Sequence, residues 1–201
     1  MKLYLSPGAC SLSPHIVLKE GGFNFTTEKV DLRAGKYSGG DFSKVNPKGY
    51  VPTLQLDNGE VLTEGAAIVQ YLADKKPEAK LIPAVGTMER ARCVEWLTYI
   101  SSELHKGFSP LFYPTTPDSE KALATEKLHK RIGYLDSQLA GKDYLLGSAF
   151  SVADAYAFTV LSWAPHVKLD LSAYKNVNAF LERMKKRPKV QEALKDEGLA
   201  S

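Results

Sequence analysis

The residue whose type and position most strongly suggest chemistry is Cys10, which lies between a short strand pattern and a helix pattern. Residues 2–5 are predicted to form a strand and residues 11–20 a helix. The first backbone N–H groups of a helix have no partner inside it, and with the helix dipole they favour an anion such as a thiolate. Cys10 is therefore either a reactive thiol or a small apolar residue packed in a turn, and this stretch by itself leaves both open.

The residues after Cys10 are Ser11-Leu12-Ser13, which is the spacing of a redox C-x-x-C motif with serine in place of the second cysteine. Such a site permits a cycle that uses one thiol, and it cannot form an internal disulfide. The other cysteine, Cys93, lies on the apolar face of a predicted helix and is expected in the core.

Four histidines could take acid–base or hydrogen-bonding roles. His105 lies near the end of a helix predicted over residues 88–106, where a histidine is either structural or catalytic. The other three have no sequence context that suggests chemistry, and we interpret them as structural or surface residues: His15, His129 and His166.

The composition is that of an ordinary globular protein, with 201 residues, 44% hydrophobic and 24% charged. The net charge of +3 is too small to indicate nucleic-acid binding, and no basic cluster is interleaved with aromatic residues. No apolar run approaches the roughly 18 residues of a membrane span. Because two cysteines fit a reducing compartment, we expect a cytoplasmic protein with no nucleic-acid or membrane partner.

The elements that must position Cys10 lie in residues 1–80, where strand and helix signals alternate. Asp57-Asn58-Gly59 lies between two short apolar runs and predicts a β-hairpin. Thr63 is expected to cap the helix that follows. The remaining segments are predicted as a strand over 25–31, a polar loop over 33–40 that contains Lys36, one helical turn over 42–45, an irregular corner over 46–52 and a helix over 64–74.

From residue 87 to residue 201 the pattern is helical, and residues 75–87 are interpreted as a linker. Gly107 and Pro110 are expected to end the first of these helices. Ser151-Val152-Ala153-Asp154 matches a capping box, so Asp154 is assigned to folding. The predicted helices span residues 88–106, 120–140, 154–164, 176–186 and 190–197, and the third is apolar on nearly every side.

Several of these motifs, in this order and spacing, resemble the cytosolic glutathione S-transferases, and more narrowly their bacterial beta class. The resemblance covers essentially the whole chain. It is carried by Pro7-Gly8-Ala9-Cys10-Ser11, Asn46-Pro47-Lys48-Gly49, the Val51-Pro52 corner, Leu62-Thr63-Glu64-Gly65, Glu103-Leu104-His105-Lys106-Gly107-Phe108 and the Ser151–Asp154 capping box.

The resemblance implies an α/β plus all-α architecture, with a thioredoxin-like glutathione-binding domain over residues 1–80 and a helical-bundle domain over 87–201 that supplies the hydrophobic substrate site. It implies a homodimer, a cis Val51–Pro52 peptide bond whose backbone pairs with glutathione, and catalytic roles for Cys10 and His105. The implied glutathione-binding residues are Cys10, Lys36, Val51, Pro52, Glu64, Gly65, Ser102, Glu103 and His105.

Within that resemblance, Glu64 and Gly65 start a helix whose N–H groups suit the γ-glutamyl carboxylate, with the Glu64 side chain facing the amino group. Tyr4 and Ser11 are possible hydroxyl donors to the glutathione thiolate. Thr98 stands where beta-class members often have an asparagine, which lies near glutathione from across the dimer interface. Threonine has a shorter reach and no amide, which puts a direct contact of Thr98 with glutathione in doubt. The expected wall of the electrophile site is aromatic: Phe108, Phe112, Tyr113 and Trp163.

Three functions remain open from the sequence. The leading one is conjugation of glutathione to small hydrophobic electrophiles, with glutathione as co-substrate and no metal. The second is a glutathione-dependent thiol–disulfide oxidoreductase or peroxidase that uses Cys10. The third is a non-catalytic ligand-binding protein on the same fold, since a fold does not fix a function.

Overall fold

The computed structural model describes residues 1–199, and its contacts divide the chain into two compact units. The first unit contains Met1–Ile82 and the segment that begins at Lys186, and the second contains Pro83–Lys185. The sequence analysis predicted one helical domain over residues 87–201, whereas the structure groups the last helix with the N-terminal part of the chain. The prediction of a mixed α/β part and a helical part is confirmed.

The first unit is built on a six-stranded sheet with the order β4-β3-β2-β1-β5-β6. Strands β1 and β2 are parallel and are joined by helix α1, while every other neighbouring pair is antiparallel. The hairpin predicted at Asn58-Gly59 is confirmed as β5 and β6. The strands are β1 (Lys2–Leu5), β2 (Thr26–Asp31), β3 (Lys36–Tyr37), β4 (Gly40–Asp41), β5 (Thr53–Gln55) and β6 (Val61–Thr63).

The polar loop predicted over residues 33–40 is wrong in part, because it contains strand β3 and the first residue of β4. Strands of two residues are too short to produce a recognisable alternation. Tyr37 extends the core at this edge, since its ring lies 5.5 Å from the ring of Tyr4 in an edge-to-face arrangement. The helical turn predicted after it is confirmed as a 3-10 helix over Phe42–Lys44.

Three helices complete the first unit: α1 (Leu12–Glu20), α2 (Gly65–Lys75) and α8 (Pro188–Glu197). The prediction that Thr63 caps α2 is wrong. Thr63 stays in strand β6, paired with Thr53, and Glu64 takes the N-cap position with a φ of +70°.

Helix α8 packs on α1 through buried and half-buried charges. The Arg187 guanidinium donates to both carboxylate oxygens of Glu20, at 2.8 and 2.9 Å. The Glu197 carboxylate contacts Nδ1 of His15 at 2.8 Å, and both side chains are fully buried. His15 is thus a structural residue, as predicted. These contacts hold the last helix to the first one.

The second unit is helical and starts with one continuous helical run over residues 88–112. The expectation that Gly107 and Pro110 end this run early is wrong. A Cβ atom on Gly107 would lie 2.9 Å from Cδ2 of Leu128, so this glycine lets two helices approach closely. The run consists of α3 (Met88–Tyr99), a π-helical segment (Ile100–His105) and α4 (Lys106–Phe112), and it is followed by α5 (Asp118–Gln138), α6 (Val152–Leu161) and α7 (Lys175–Lys185).

Helix α6 is the centre of the second unit, since all ten of its residues are buried. The capping box predicted at its start is confirmed: the Asp154 carboxylate accepts from the Ser151 backbone N–H and hydroxyl and from the Leu145 N–H. Burial raises the pKa of Asp154 to about 6. Cys93 is in the core as predicted, and burial raises the pKa of its thiol to about 11.

Candidate active site

Cys10 lies in the turn between β1 and α1, and its side chain is partly exposed. The thiol donates to the backbone carbonyl of Val51 at 3.2 Å. The N–H groups of Leu12 and Ser13 donate to the carbonyls of Ala9 and Cys10, at 3.0 and 3.2 Å. These two N–H groups therefore stabilise the turn, and the effect of the helix start on the Cys10 thiol stays a prediction.

A buried side-chain amide stabilises the corner that contacts the Cys10 thiol. Val51–Pro52 is a cis peptide, as the resemblance implied. The Asn46 side chain, 2% exposed, donates to the carbonyl of Tyr50 at 2.8 Å and to the Thr53 hydroxyl at 3.0 Å. One amide thus ties both ends of the corner, because Tyr50 precedes it and Thr53 follows it.

The N-terminus of α2 adjoins the same corner. A Cβ atom built on Gly65 would lie 3.7 Å from Cγ of Pro52, which is ordinary contact distance. Cys10, Val51, Pro52 and Gly65 therefore form a continuous set of neighbours. The structure brings together four of the residues predicted for glutathione, and Glu64 joins them as the residue before Gly65.

The Glu64 side chain lies in an exposed polar cluster at the start of α2. Its Oε1 accepts from Nζ of Lys48 at 2.7 Å and from the Tyr50 hydroxyl at 2.6 Å. Lys48 also donates to the Thr63 hydroxyl at 2.9 Å. The hydrogen bonds to Glu64 raise the pKa values of Lys48 and Tyr50, since they favour the protonated donors.

The sequence reasoning missed Lys48 and Tyr50 as parts of this cluster. The available sequence signal was their position on either side of Gly49 in the Asn46–Pro52 segment. In the structure Gly49 has a φ of +74°. Glu64 is held at a positive φ that few non-glycine residues adopt, and such backbone is common at functional sites.

Lys36 lies on β3, exposed and paired with Asp31 of β2. Two strands, β2 and β1, separate β3 from β5 in the sheet. The sheet order therefore places Lys36 away from strand β5, which follows the Val51–Pro52 corner, and its contact with glutathione stays a prediction.

The two possible hydroxyl donors are both engaged in the scaffold. Tyr4 is 2% exposed and its hydroxyl donates to Oε1 of Gln55 at 3.3 Å, while burial raises its pKa. The Ser11 hydroxyl donates to the Ser6 carbonyl at 3.3 Å and accepts from the Ser6 N–H at 3.2 Å. Both contacts stabilise the turn and strand around Cys10, and a role toward the glutathione thiolate stays a prediction.

Three of the predicted residues lie on the π-helical segment of the second unit. The Ser102 hydroxyl donates to the Thr98 carbonyl at 3.0 Å, and Glu103 accepts from Nε of Arg131 at 2.7 Å. His105 contacts the Tyr156 hydroxyl through Nδ1 at 2.7 Å. Thr98, where the chain departs from the beta-class pattern, donates its hydroxyl to the Val94 carbonyl.

An aromatic cluster adjoins His105 in the same unit. The rings of Phe108 and Phe112 lie 5.8 and 5.5 Å from the ring of Trp163, both edge-to-face. Three of the four residues predicted for the electrophile wall are therefore in contact with each other. The fourth, Tyr113, is 63% exposed.

Neither a metal site nor a membrane span is found among residues 1–199. No group of three or more His, Cys, Asp or Glu side chains in this range is arranged to hold a metal ion. None of the helices within it has the length and apolar character needed to cross a membrane.

Both parts of the chain match families of known proteins. Residues 8–75 match the family model "Glutathione S-transferase, N-terminal domain", and residues 99–188 match "Glutathione S-transferase, C-terminal domain". The glutathione S-transferase GstA of Escherichia coli O157:H7 is 49% identical over 200 residues, which cover 99% of this chain and all of that one.

Solved structures agree with these matches. A bacterial beta-class glutathione S-transferase from Sphingomonas chungbukensis has a TM-score of 0.95 and 50% identity, with both chains fully covered. A sphingomonad glutathione S-transferase, solved in complex with glutathione, has a TM-score of 0.95 and 49% identity over the whole of both chains. The resemblance drawn from the sequence is confirmed, and the chain belongs to the glutathione S-transferase family.

Proposed function

We propose that this transferase binds glutathione along the Val51–Pro52 corner and the start of α2, and conjugates its sulfur to small hydrophobic electrophiles. The observation that carries the proposal is the contact of the Cys10 thiol with the Val51 carbonyl, beside the helix that begins at Gly65. A thiol-bearing peptide laid along this corner would have its sulfur next to Cys10.

The start of α2 has the chemistry that the γ-glutamyl group requires. This group carries a carboxylate and an ammonium. The first N–H groups of an 11-residue helix favour a carboxylate, and the Glu64 carboxylate offers an acceptor to the ammonium. Lys48 and Tyr50 hold that carboxylate in place, so the donor and acceptor set fits the group.

The peptide part of glutathione is expected to pair with the backbone of Val51 in the manner of an added strand. In the conjugation step the glutathione thiolate attacks an electrophilic carbon. A carbon–sulfur bond forms, the leaving group departs with its electron pair, and the thiol proton goes to solvent. Binding contributes by holding the two reactants together.

The remaining parts of the proposal rest on the family resemblance. They comprise contacts of glutathione with Lys36, Ser102 and Glu103, a role of His105 at the sulfur, a hydrophobic site walled by Phe108, Phe112 and Trp163, a homodimer and a cytoplasmic location.

A second activity is favoured by the difference between the two cysteines. Cys10 is partly exposed and Cys93 is buried. A Cys10 thiolate can attack the glutathione sulfur of a mixed disulfide between glutathione and another small thiol: that disulfide bond breaks, a mixed disulfide of Cys10 with glutathione forms, and the small thiolate leaves and takes a proton. A second glutathione thiolate then attacks the glutathione sulfur, which restores Cys10 and releases oxidised glutathione.

Replacement of Cys10 by alanine separates the two activities. Conjugation of a model aryl halide and reduction of a low-molecular-weight disulfide are measured for the wild type, Cys10→Ala and Cys93→Ala. We expect Cys10→Ala to abolish disulfide reduction and to retain conjugation, and Cys93→Ala to retain both. A wild type that binds glutathione and has neither activity would overturn the proposal.

Mass spectrometry after incubation with oxidised glutathione tests the covalent step directly. We expect one glutathione adduct, on Cys10 and not on Cys93. An unmodified protein would overturn the second activity and leave conjugation as the function.

A further inference from the structure

The second unit contains two pairs in which a tyrosine hydroxyl contacts Nδ1 of a histidine. Tyr156 contacts His105 at 2.7 Å, and Tyr174 contacts His129 at 2.9 Å. The Tyr174 hydroxyl also donates to the His129 carbonyl at 3.0 Å, which anchors it to the backbone of α5. The two pairs consist of the same side-chain types, and only one involves a histidine proposed to act in the reaction.

Tyr156 is the residue of helix α6 whose hydroxyl contacts His105, and most of the residues around it on the helix are apolar. It is 3% exposed, and every other residue of α6 is buried as well. A buried hydroxyl costs free energy unless it makes a hydrogen bond. The partner of the Tyr156 hydroxyl is the His105 ring, so the placement of the hydroxyl is coupled to the orientation of the imidazole.

The backbone that carries His105 is also unusual. His105 is the last residue of the π-helical segment Ile100–His105, which lies between two α-helices. Such segments add one residue to a turn and thereby rotate the side chains that follow, and they are frequent at functional sites. The insertion determines which face of the run carries His105.

Two aromatic rings fix the imidazole from its sides. The ring of Trp163 lies 4.9 Å from that of His105 and the ring of Tyr156 lies 5.9 Å from it, both edge-to-face. Because Tyr156 contacts Nδ1, any hydrogen bond from this imidazole to a sulfur must come from Nε2.

We propose that Tyr156 is a positioning residue for the transfer reaction, and that its hydroxyl donates to Nδ1 of His105 and holds the neutral imidazole in the tautomer with its proton on Nε2. A neutral imidazole has one donor and one acceptor nitrogen, so a donor at Nδ1 places the proton on Nε2. An Nε2–H group can then donate to the glutathione thiolate and favour its ionised form. This inference rests on the role of His105 in the proposed function.

The first test compares Tyr156→Phe with Tyr174→Phe, which removes the same hydroxyl from the other pair. We expect Tyr156→Phe to lower kcat for conjugation about tenfold, the loss of one hydrogen bond, with the KM for glutathione unchanged. Tyr174→Phe should leave kcat within about twofold of the wild type. Equal effects of the two substitutions on kcat would overturn the proposal.

The second test measures the tautomer itself by nitrogen-15 NMR of the histidine rings, with His105 assigned from the spectrum of His105→Ala. We expect the proton of neutral His105 to be on Nε2 in the wild type and to be shared between both nitrogens in Tyr156→Phe. A wild-type imidazole with its proton on Nδ1 would overturn the proposal. This measurement needs no substrate, and its result does not depend on enzymatic activity.

A double-substitution cycle distinguishes failure of the inference from failure of the proposed function. If His105 acts at the sulfur through Tyr156, adding Tyr156→Phe to His105→Ala lowers kcat no further. If His105→Ala by itself leaves kcat unchanged, the proposed role of His105 fails. A full additional loss in the double variant would overturn the positioning role alone.

Discussion

The carboxylate of Glu197 accepts a hydrogen bond from the backbone N–H of Gly8 at 2.9 Å, two residues before Cys10. Its other oxygen contacts Nδ1 of His15, on the helix that follows Cys10, at 2.8 Å. One buried carboxylate on α8 thus holds the chain on both sides of the candidate reactive cysteine. The geometry of the Cys10 turn depends on a helix 187 positions further along the sequence.

Replacing Glu197 by alanine should strongly destabilise the protein. The substitution removes the carboxylate that contacts the buried His15 imidazole and the Gly8 N–H, and breaking a buried pair in this way costs about 3–5 kcal/mol. The matched control is Glu192→Ala on the same helix, because Glu192 is 44% exposed and pairs with Lys189 at 2.7 Å. That loss should be about 1 kcal/mol or less. Urea unfolding measures both, and equal losses would contradict the prediction.

Asp154 should make stability depend on pH between about 4 and 6. Its pKa is raised from 3.8 to about 6 by burial, so in this range the folded state binds more protons than the unfolded state. The contribution of Asp154 to the free energy of unfolding is therefore complete below pH 4 and is lost as the pH rises through 6. The total change is about 3 kcal/mol.

The measurement for Asp154 is the difference in unfolding free energy between the wild type and Asp154→Asn, followed from pH 4 to pH 7. Asparagine does not titrate, so the contributions of all other groups cancel in the difference. We expect the advantage of the wild type to shrink as the pH rises. A difference that stays constant across this range would show that burial does not raise the pKa of Asp154.

The two cysteines should differ sharply in their reactivity toward an alkylating reagent. Burial raises the pKa of Cys93 to about 11, so only about one thiol in a thousand is ionised at pH 8, and its side chain is inaccessible. Iodoacetamide should add once to the native protein, on Cys10, and twice after denaturation. Peptide mapping by mass spectrometry identifies the sites, and native modification of Cys93 would contradict the assignment of this residue to the core.

Glu64→Gln should weaken glutathione binding and leave stability nearly unchanged. A hydrogen bond to a charged group is worth about 1.5–3 kcal/mol, so we expect the KM for glutathione to rise about tenfold or more. The contacts of Glu64 with Lys48 and Tyr50 are exposed to solvent, so they contribute little to folding. Glu60→Gln, in the neighbouring hairpin, is the matched control and should change neither quantity. A wild-type KM for Glu64→Gln would exclude Glu64 from the γ-glutamyl site.

Features with a local cause could be predicted from the sequence. Asn58-Gly59 determines its hairpin because only a few residues adopt the required turn. Ser151 and Asp154 determine the start of α6 because each hydrogen-bonds to the backbone of the other, three positions away. The cis bond at Val51–Pro52 came from the family resemblance.

Features with a distant cause could not be predicted. Glycine is typical of a helix end, but Gly107 lies inside a helical run. Its lack of a side chain leaves room for Leu128, which packs against it. The grouping of α8 with the first unit depends on His15 and Glu197, which are 182 positions apart. The link between Glu64 and Lys48 likewise required knowing which side of the corner each residue faces.

The first unit is discontinuous in sequence, since the helical unit of residues 83–185 is inserted between its two parts. The ribosome therefore synthesises the whole inserted unit before it makes the helix that carries Glu197. During synthesis the turn around Cys10 first exists without the carboxylate that holds it, and this unit can be completed only after Glu197 has been made. A fragment that ends at residue 82 would lack a necessary part of its own core, whereas one joined directly to residues 186–199 would contain it.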